Sequence, residues 1–221
     1  MKYRLAMFDF DGTICDTGPG ITRCVAYALK KLGIEEQSEE RLKLFVGPPL
    51  GGSFMKHYGL SAEDAERAVL YYREEYVDRG LYECSIYKGV PEMLRRLREG
   101  GVVCAVASGK PVEMIHRLIE RYSLGGCFSY VSGMEGGREQ KADIIKHLLS
   151  ELRVTDHAAA VMIGDRANDA LGAAGAGVDF IACPYGGYAA DGEFDSYNCV
   201  LSAEKPQQIA DFILADARKD N

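Results

Sequence analysis

The chain has 221 residues, of which 47% are hydrophobic and 27% charged, and a formal net charge of -7. That is the balance of a globular protein with room for one substantial domain plus a smaller insertion, and it leaves no compositional case for disorder. The excess of acids argues against an extended basic surface for DNA, RNA or anionic lipid, while a small anionic substrate needs only a few local cations or a metal.

In chain order, residues 4–10 form a short apolar segment that ends in acids and predict a buried strand. Carrying Asp9 and Asp11, the segment reads as neither a signal peptide nor a membrane span. From about residue 16 to residue 84 the pattern is helical throughout, in four stretches punctuated by Gly18, Pro19, Gly33, Gly47, Pro48, Pro49 and Gly59. IYKGVP (86–91) reads as the linker out of this block. Strands are then predicted over 102–107, 159–163 and 178–183, with weaker ones over 128–131 and 197–201. Helices are predicted over 90–99, 111–122, 142–152, 169–176 and 205–217, Pro111 and Pro206 standing near helix starts where a missing N–H costs nothing. Apolar strands alternating with amphipathic helices imply an α/β fold, a mostly parallel sheet covered on both faces. The helical block inserted after the first strand predicts a small bundle above that sheet. The seven cysteines are scattered and never spaced as CxxC, which favours free thiols in a reducing cytoplasm over disulfides or zinc.

Ligands of an open parallel sheet bind outside the carboxyl ends of its strands. Those ends gather Asp9, Asp11, Gly12 and Thr13 after the first strand, then Ser108, Gly109 and Lys110, then Gly164, Asp165, Arg166, Asn168 and Asp169. Lys141 precedes the helix expected from 142. Two carboxylates spaced as Asp9 and Asp11 on extended backbone share a side. One of such a pair can carry a proton while the other, ionised beside a cation, can attack phosphorus. Phosphate-monoester hydrolysis is slow enough unaided to need enzymatic accelerations of up to ~10²¹, so concentrated charge stabilisation is required. A hard cation such as Mg²⁺ on carboxylate oxygens suits that need. Ser108 is a candidate hydrogen-bond donor to the phosphoryl group, and Lys141 a candidate counter-charge. Taken singly, each residue has a plain alternative: a turn at Asp11-Gly12-Thr13, helix caps at Ser108, Asp165 and Asp169, a solvated Lys141.

FDFDGTICDT (8–17), VASGK (106–110), Lys141 and IGDRANDALGAAGAG (163–177) resemble, in order, the four motifs of the haloacid dehalogenase-like superfamily. VGPPLGGSF (46–54) and GGREQKADII (136–145) are similar to its phosphoglycolate phosphatase-like and 5′-nucleotidase-like members. The resemblance implies a Rossmann-like, doubly wound parallel sheet core from residues 1–15 and 87–221, with residues 16–86 as an inserted all-helical cap. It implies Asp9 as nucleophile and Asp11 as general acid and base. It also implies Mg²⁺ held by Asp9, the Asp11 backbone carbonyl and Asp165 with Asp169 in support, and a phosphoryl group held by Gly12, Thr13, Ser108, Gly109 and Lys141. The implied partner is a small phosphorylated metabolite, with no nucleic acid polymer, membrane or obligatory protein partner. Asp11 itself disfavours carbon–halogen and carbon–phosphorus cleavage, because the family's dehalogenases and phosphonate-cleaving members lack that acid. Three alternatives stay open: a phosphomutase, for which Arg23, Lys43 or Lys56 would have to supply a cap cation; a catalytically idle phosphate binder; and a phospho-accepting receiver.

Overall fold

A computed structural model describes residues 1–215. The chain enters through β1 (Leu5–Phe8), a fully buried strand, and turns at Gly12 into the two-residue β2 (Cys15–Asp16). Four helices follow: α1 (Gly18–Lys31), α2 (Glu39–Lys43), α3 (Leu50–Tyr58) and α4 (Ala62–Tyr76). Their ends are marked in the sequence. Ser38 and Ser61 cap α2 and α4 by accepting backbone N–H bonds from Arg41 and Asp64, and Gly59 closes α3 in the left-handed conformation that favours glycine. The chain returns through β3 (Ser85–Ile86), which pairs antiparallel with β2. That two-stranded ribbon lies just outside the stretch read as purely helical; two residues are too few to leave a periodicity.

The remaining elements alternate: α5 (Val90–Glu99), β4 (Val103–Pro111), α6 (Val112–Arg121), β5 (Tyr130–Met134), α7 (Lys141–Glu151), β6 (Ala160–Gly164), α8 (Ala167–Ala176), β7 (Asp179–Ala182), β8 (Cys199–Ser202) and α9 (Pro206–Ala215). The last two residues of the helix expected over 205–217 lie outside the described residues. The weak strands at 128–131 and 197–201 begin two residues later than expected, and β4 runs on to Pro111, which caps α6 instead of starting it. Lys141 opens α7. Six strands pair in parallel in the order β5-β4-β1-β6-β7-β8, so the chain builds outward from β1 on one side and then on the other.

Side chains alternate across this sheet. Ala6, Phe8, Cys104, Val106, Val161 and Ile163 face α5, α6 and α9, in an apolar cluster that continues into the inserted helices through Leu29, Phe45 and Phe54. Leu5, Met7, Ala105, Ala107, Ala160 and Met162 face α7 and α8. Burial on both faces explains why the strands read as continuous apolar runs. β1 is central, with β4 and β6 as neighbours, so its carboxyl end opens at the point where the winding reverses.

Candidate active site

Asp9 follows directly on β1 and is held by its backbone, whose N–H donates to the Ile163 carbonyl at 2.9 Å. Its side chain is buried at the carboxyl edge of the sheet. Gly12 turns the chain there with φ +77°, and a Cβ at this position would sit 2.1 Å from Asp165 Oδ2. Only glycine lets the loop approach the β6 loop this closely. Thr13 is fully buried, and its hydroxyl donates to Asp165 Oδ1 at 3.0 Å. The structure therefore commits the Thr13 side chain to orienting Asp165.

Asp9, Asp165 and Asp169 bring one carboxylate oxygen each within 4.8 Å of one another, all three buried. Lys141, at the start of α7, enters this group from the side. Its ammonium lies 2.9 Å from Asp9 Oδ1 and 2.7 Å from Asp169 Oδ1, and donates to the Ala107 carbonyl at 3.1 Å. Lys141 is 4% exposed, which removes the solvated alternative for it. Two glycines make room. A Cβ on Gly164 would meet the Asp169 carboxylate at 2.3 Å, and one on Gly172 would meet Lys141 Cγ at 2.3 Å.

The charges do not balance. Three buried carboxylates face one ammonium. Burial opposes the Lys141 charge, but Asp169 and Asp9 outweigh it and hold the ammonium above its ordinary range. Burial pushes the Asp165 carboxyl well above its ordinary value, and the charges of Asp169 and Asp9 push it further. Asp169 is raised from 3.8 to about 6, by burial first, against the pull of Lys141. Asp165 Oδ2 is buried without a hydrogen-bond partner, while Asp9 Oδ1 and Asp169 Oδ1 have only the lysine beside them. Buried carboxylate oxygens with unfilled acceptor capacity fit a hard divalent cation.

Asp11 leaves the strand and points elsewhere. Both its oxygens accept from the Lys110 ammonium at 3.0 Å. The pattern of two places only one acid among the metal-type oxygens, because β1 ends at Phe8 and the backbone has begun to turn. Ser108 is 1% exposed, and its hydroxyl oxygen accepts from the Lys110 N–H at 3.3 Å; Gly109 has open space where a Cβ would lie. The three strand-end groups and Lys141 thus converge on one edge.

Three residues to which sequence reasoning assigns no role stand at this edge. Lys110 holds Asp11 and donates to the hydroxyl of Tyr76 from α4 at 2.6 Å. Arg166 is 9% exposed and ties the β6 loop to the inserted helices: its guanidinium donates to the Val46 carbonyl and to Glu193 Oε1 at 3.0 Å. Lys110 and Arg166 lie inside the motifs and are gathered at the strand ends from the sequence, without a role, whereas Tyr76 leaves no signal beyond its place in a helix. Of the cap cations considered, Arg23 is spent on Glu75 and Glu83, both at 2.7 Å, and Lys43 and Lys56 are exposed.

Residues 6–183 match the family model for haloacid dehalogenase-like hydrolases. The chain belongs to that family. A 5′-nucleotidase of Pseudomonas aeruginosa is 40% identical over 189 residues, covering 84% of this chain and 85% of its relative. The tyrosine-protein kinase PtkA of Mycobacterium tuberculosis is 33% identical over 190 residues, covering 85% of this chain but 64% of the kinase. The crystal structure of a predicted phosphatase from Clostridium acetobutylicum superposes with a TM-score of 0.90 at 31% identity, covering 97% of this chain and all of that one. The α/β core with a helical cap is thus shared over 97% of the chain, and the protein is an enzyme of the family's phosphatase type. No described helix is long and apolar enough to cross a membrane.

Proposed function

We propose that this phosphatase hydrolyses a small phosphomonoester, a nucleoside 5′-monophosphate first among the candidates, through an aspartyl-phosphate, an acyl phosphate on Asp9. The observation that carries the reading is Asp9 itself: a buried carboxylate at the central strand end, beside one ammonium and two further acids. Its substrate ranking follows the 40% identical 5′-nucleotidase, with phosphoglycolate and sugar phosphates as the other candidates. We assign the cap to residues 16–86 and the core to the rest, hinged at the β2–β3 ribbon where both connections lie side by side. Seven free cysteines support a reducing compartment, the cytoplasm.

In this mechanism the cap closes and excludes bulk water. Lys141 neutralises charge on the phosphoryl oxygens and keeps Asp9 in line for attack. Ser108 and the backbone around Gly12 and Gly109 cradle the same oxygens. The Asp9 carboxylate attacks phosphorus, and the bond to the leaving oxygen breaks as Asp11 protonates it. Asp11 then takes a proton from water, and the hydroxide displaces Asp9 to give inorganic phosphate. Mg²⁺ held by Asp9, Asp165, Asp169 and the Asp11 carbonyl would supply the remaining positive charge for the pentavalent state.

Phosphate release from a panel of nucleoside monophosphates, phosphoglycolate and sugar phosphates, with and without Mg²⁺, tests this. Turnover should require the cation and disappear in Asp9→Asn. Release that survives in Asp9→Asn removes the nucleophile assignment. Transfer from ATP to a tyrosine peptide without phosphatase turnover would favour chemistry like that of the kinase relative instead.

A further inference from the structure

Lys110 stands where the inserted helices meet Asp11, and the mechanism above does not use it. Its ammonium has three N–H bonds to place. Two go to Asp11 Oδ1 and Oδ2 at 3.0 Å each, and the third goes to the Tyr76 hydroxyl at 2.6 Å. The Lys110 side chain is 3% exposed, so a lost acceptor is not replaced by bulk water. Tyr76 is the last residue of α4 and is 2% exposed. Its ring stacks on Tyr72 with centroids 4.8 Å apart, and Lys110 Nζ lies 4.9 Å from its centroid. A rigid aromatic anchored in the cap therefore sets the pose of the lysine, and the lysine sets the direction of both Asp11 oxygens.

We infer that Tyr76, acting through Lys110, is a positioning residue for Asp11 in the second half-reaction, the hydrolysis of the acyl phosphate on Asp9. The inference rests on Asp9 as nucleophile and Asp11 as base. In that step water oxygen bonds to phosphorus, the bond from Asp9 to phosphorus breaks, and the proton leaves water for Asp11. Lys110 fixes the direction of both Asp11 oxygens, one of which receives this proton. The third acceptor is supplied only with α4 seated on the core. The base is thereby competent when the cap covers the acyl phosphate, and an open cap releases Lys110 and with it the aim of Asp11.

Tyr76→Phe keeps the ring and its stack and removes one oxygen; Lys110→Gln removes the charge and is the second variant. Rapid-quench experiments with p-nitrophenyl phosphate and an alkyl phosphate measure released alcohol and phosphate retained on Asp9. With p-nitrophenyl phosphate, whose leaving group departs without a proton, both variants should give a burst of alcohol and acyl-phosphate hydrolysis slowed about tenfold or more; with the alkyl phosphate, whose release uses Asp11 as acid, the first step should slow as well. A packing role alone would lower the thermal midpoint without producing the burst. Phosphate on Asp9 that is hydrolysed at the parent's rate in a folded Tyr76→Phe overturns the inference and leaves the proposed function standing. Absence of phosphate on Asp9 in the parent overturns the nucleophile assignment itself.

Discussion

Asp165 has one carboxylate oxygen bonded to Thr13 and the other buried without a hydrogen-bond partner. A site built this way fits a cation, and without one its buried acids repel one another. The repulsion has a sign. Asp169, raised from 3.8 to about 6, binds a proton in the folded state at pH values where the unfolded chain has lost it. Folding is therefore favoured at low pH, and that advantage is lost as pH rises from about 4 through about 6, by about 3 kcal/mol at most. Asp165 adds to this in the same direction. The thermal midpoint of the metal-free protein should fall between pH ~5 and pH ~7.5, and Mg²⁺ should restore it. Asp165→Asn should raise the metal-free midpoint at the higher pH and abolish the Mg²⁺ response. A metal-free midpoint that climbs over that range would mean the three acids are not crowded as described.

At the level of the element, α8 shows a helix composed for closeness. Its run ALGAAGA carries two glycines, which lower helix propensity by about 1 kcal/mol each relative to alanine. The structure supplies the reason. A Cβ on Gly172 would meet Lys141 Cγ at 2.3 Å, and one on Gly175 would meet Ala142 Cβ at 3.0 Å. α8 therefore rests directly on the first turn of α7, and Lys141 threads the gap toward Asp9. Propensity and packing make opposite forecasts for Gly172→Ala. Packing should win: the variant is expected to lose roughly 1–3 kcal/mol of stability, and its kcat should fall as Lys141 is displaced. Denaturant unfolding and steady-state kinetics read both effects. A variant stabilised by the helix-propensity gain, with unchanged kcat, would refute the close approach.

Across the whole molecule, the inserted helices do not form a separate globule. One apolar cluster runs from Leu29, Phe45 and Phe54 through Ile14 and Phe10 to Phe8, Leu94 and Ile209. Arg166 adds a polar tie by reaching the Val46 carbonyl from the β6 loop while Glu193, itself bonded by the Ala167 and Ala190 N–H groups, holds the guanidinium. Shared burial on this scale couples the parts energetically. Heating should give a single transition seen alike by tryptophan-free probes such as tyrosine fluorescence and far-UV dichroism. Two resolved transitions would show that the cap melts on its own. Saturating Mg²⁺ should raise the transition without splitting it, by about 2.7 kcal/mol at a hundredfold excess over Kd.

The sequence by itself determined the α/β class, the helical insert, and the strand ends where Asp9, Asp165, Asp169, Lys141 and Ser108 gather. Those are consequences of local periodicity and of a rule about where parallel sheets bind ligands, and both survive without coordinates. It also located the glycines of the motifs, though not what each one clears. Only the tertiary structure decided that Asp11 turns away from the three acids to Lys110, that the Thr13 hydroxyl serves Asp165, and that Tyr76 and Arg166 join the site. The physical reason is distance along the chain. Asp11 and Lys110 are 99 positions apart, Tyr76 and Lys110 are 34, and Arg166 and Val46 are 120. No spacing rule spans such gaps: the pairing of β1 with β4 brings Asp11 to Lys110, and the packing of the inserted helices over the sheet edge brings Tyr76 to Lys110 and Val46 to Arg166.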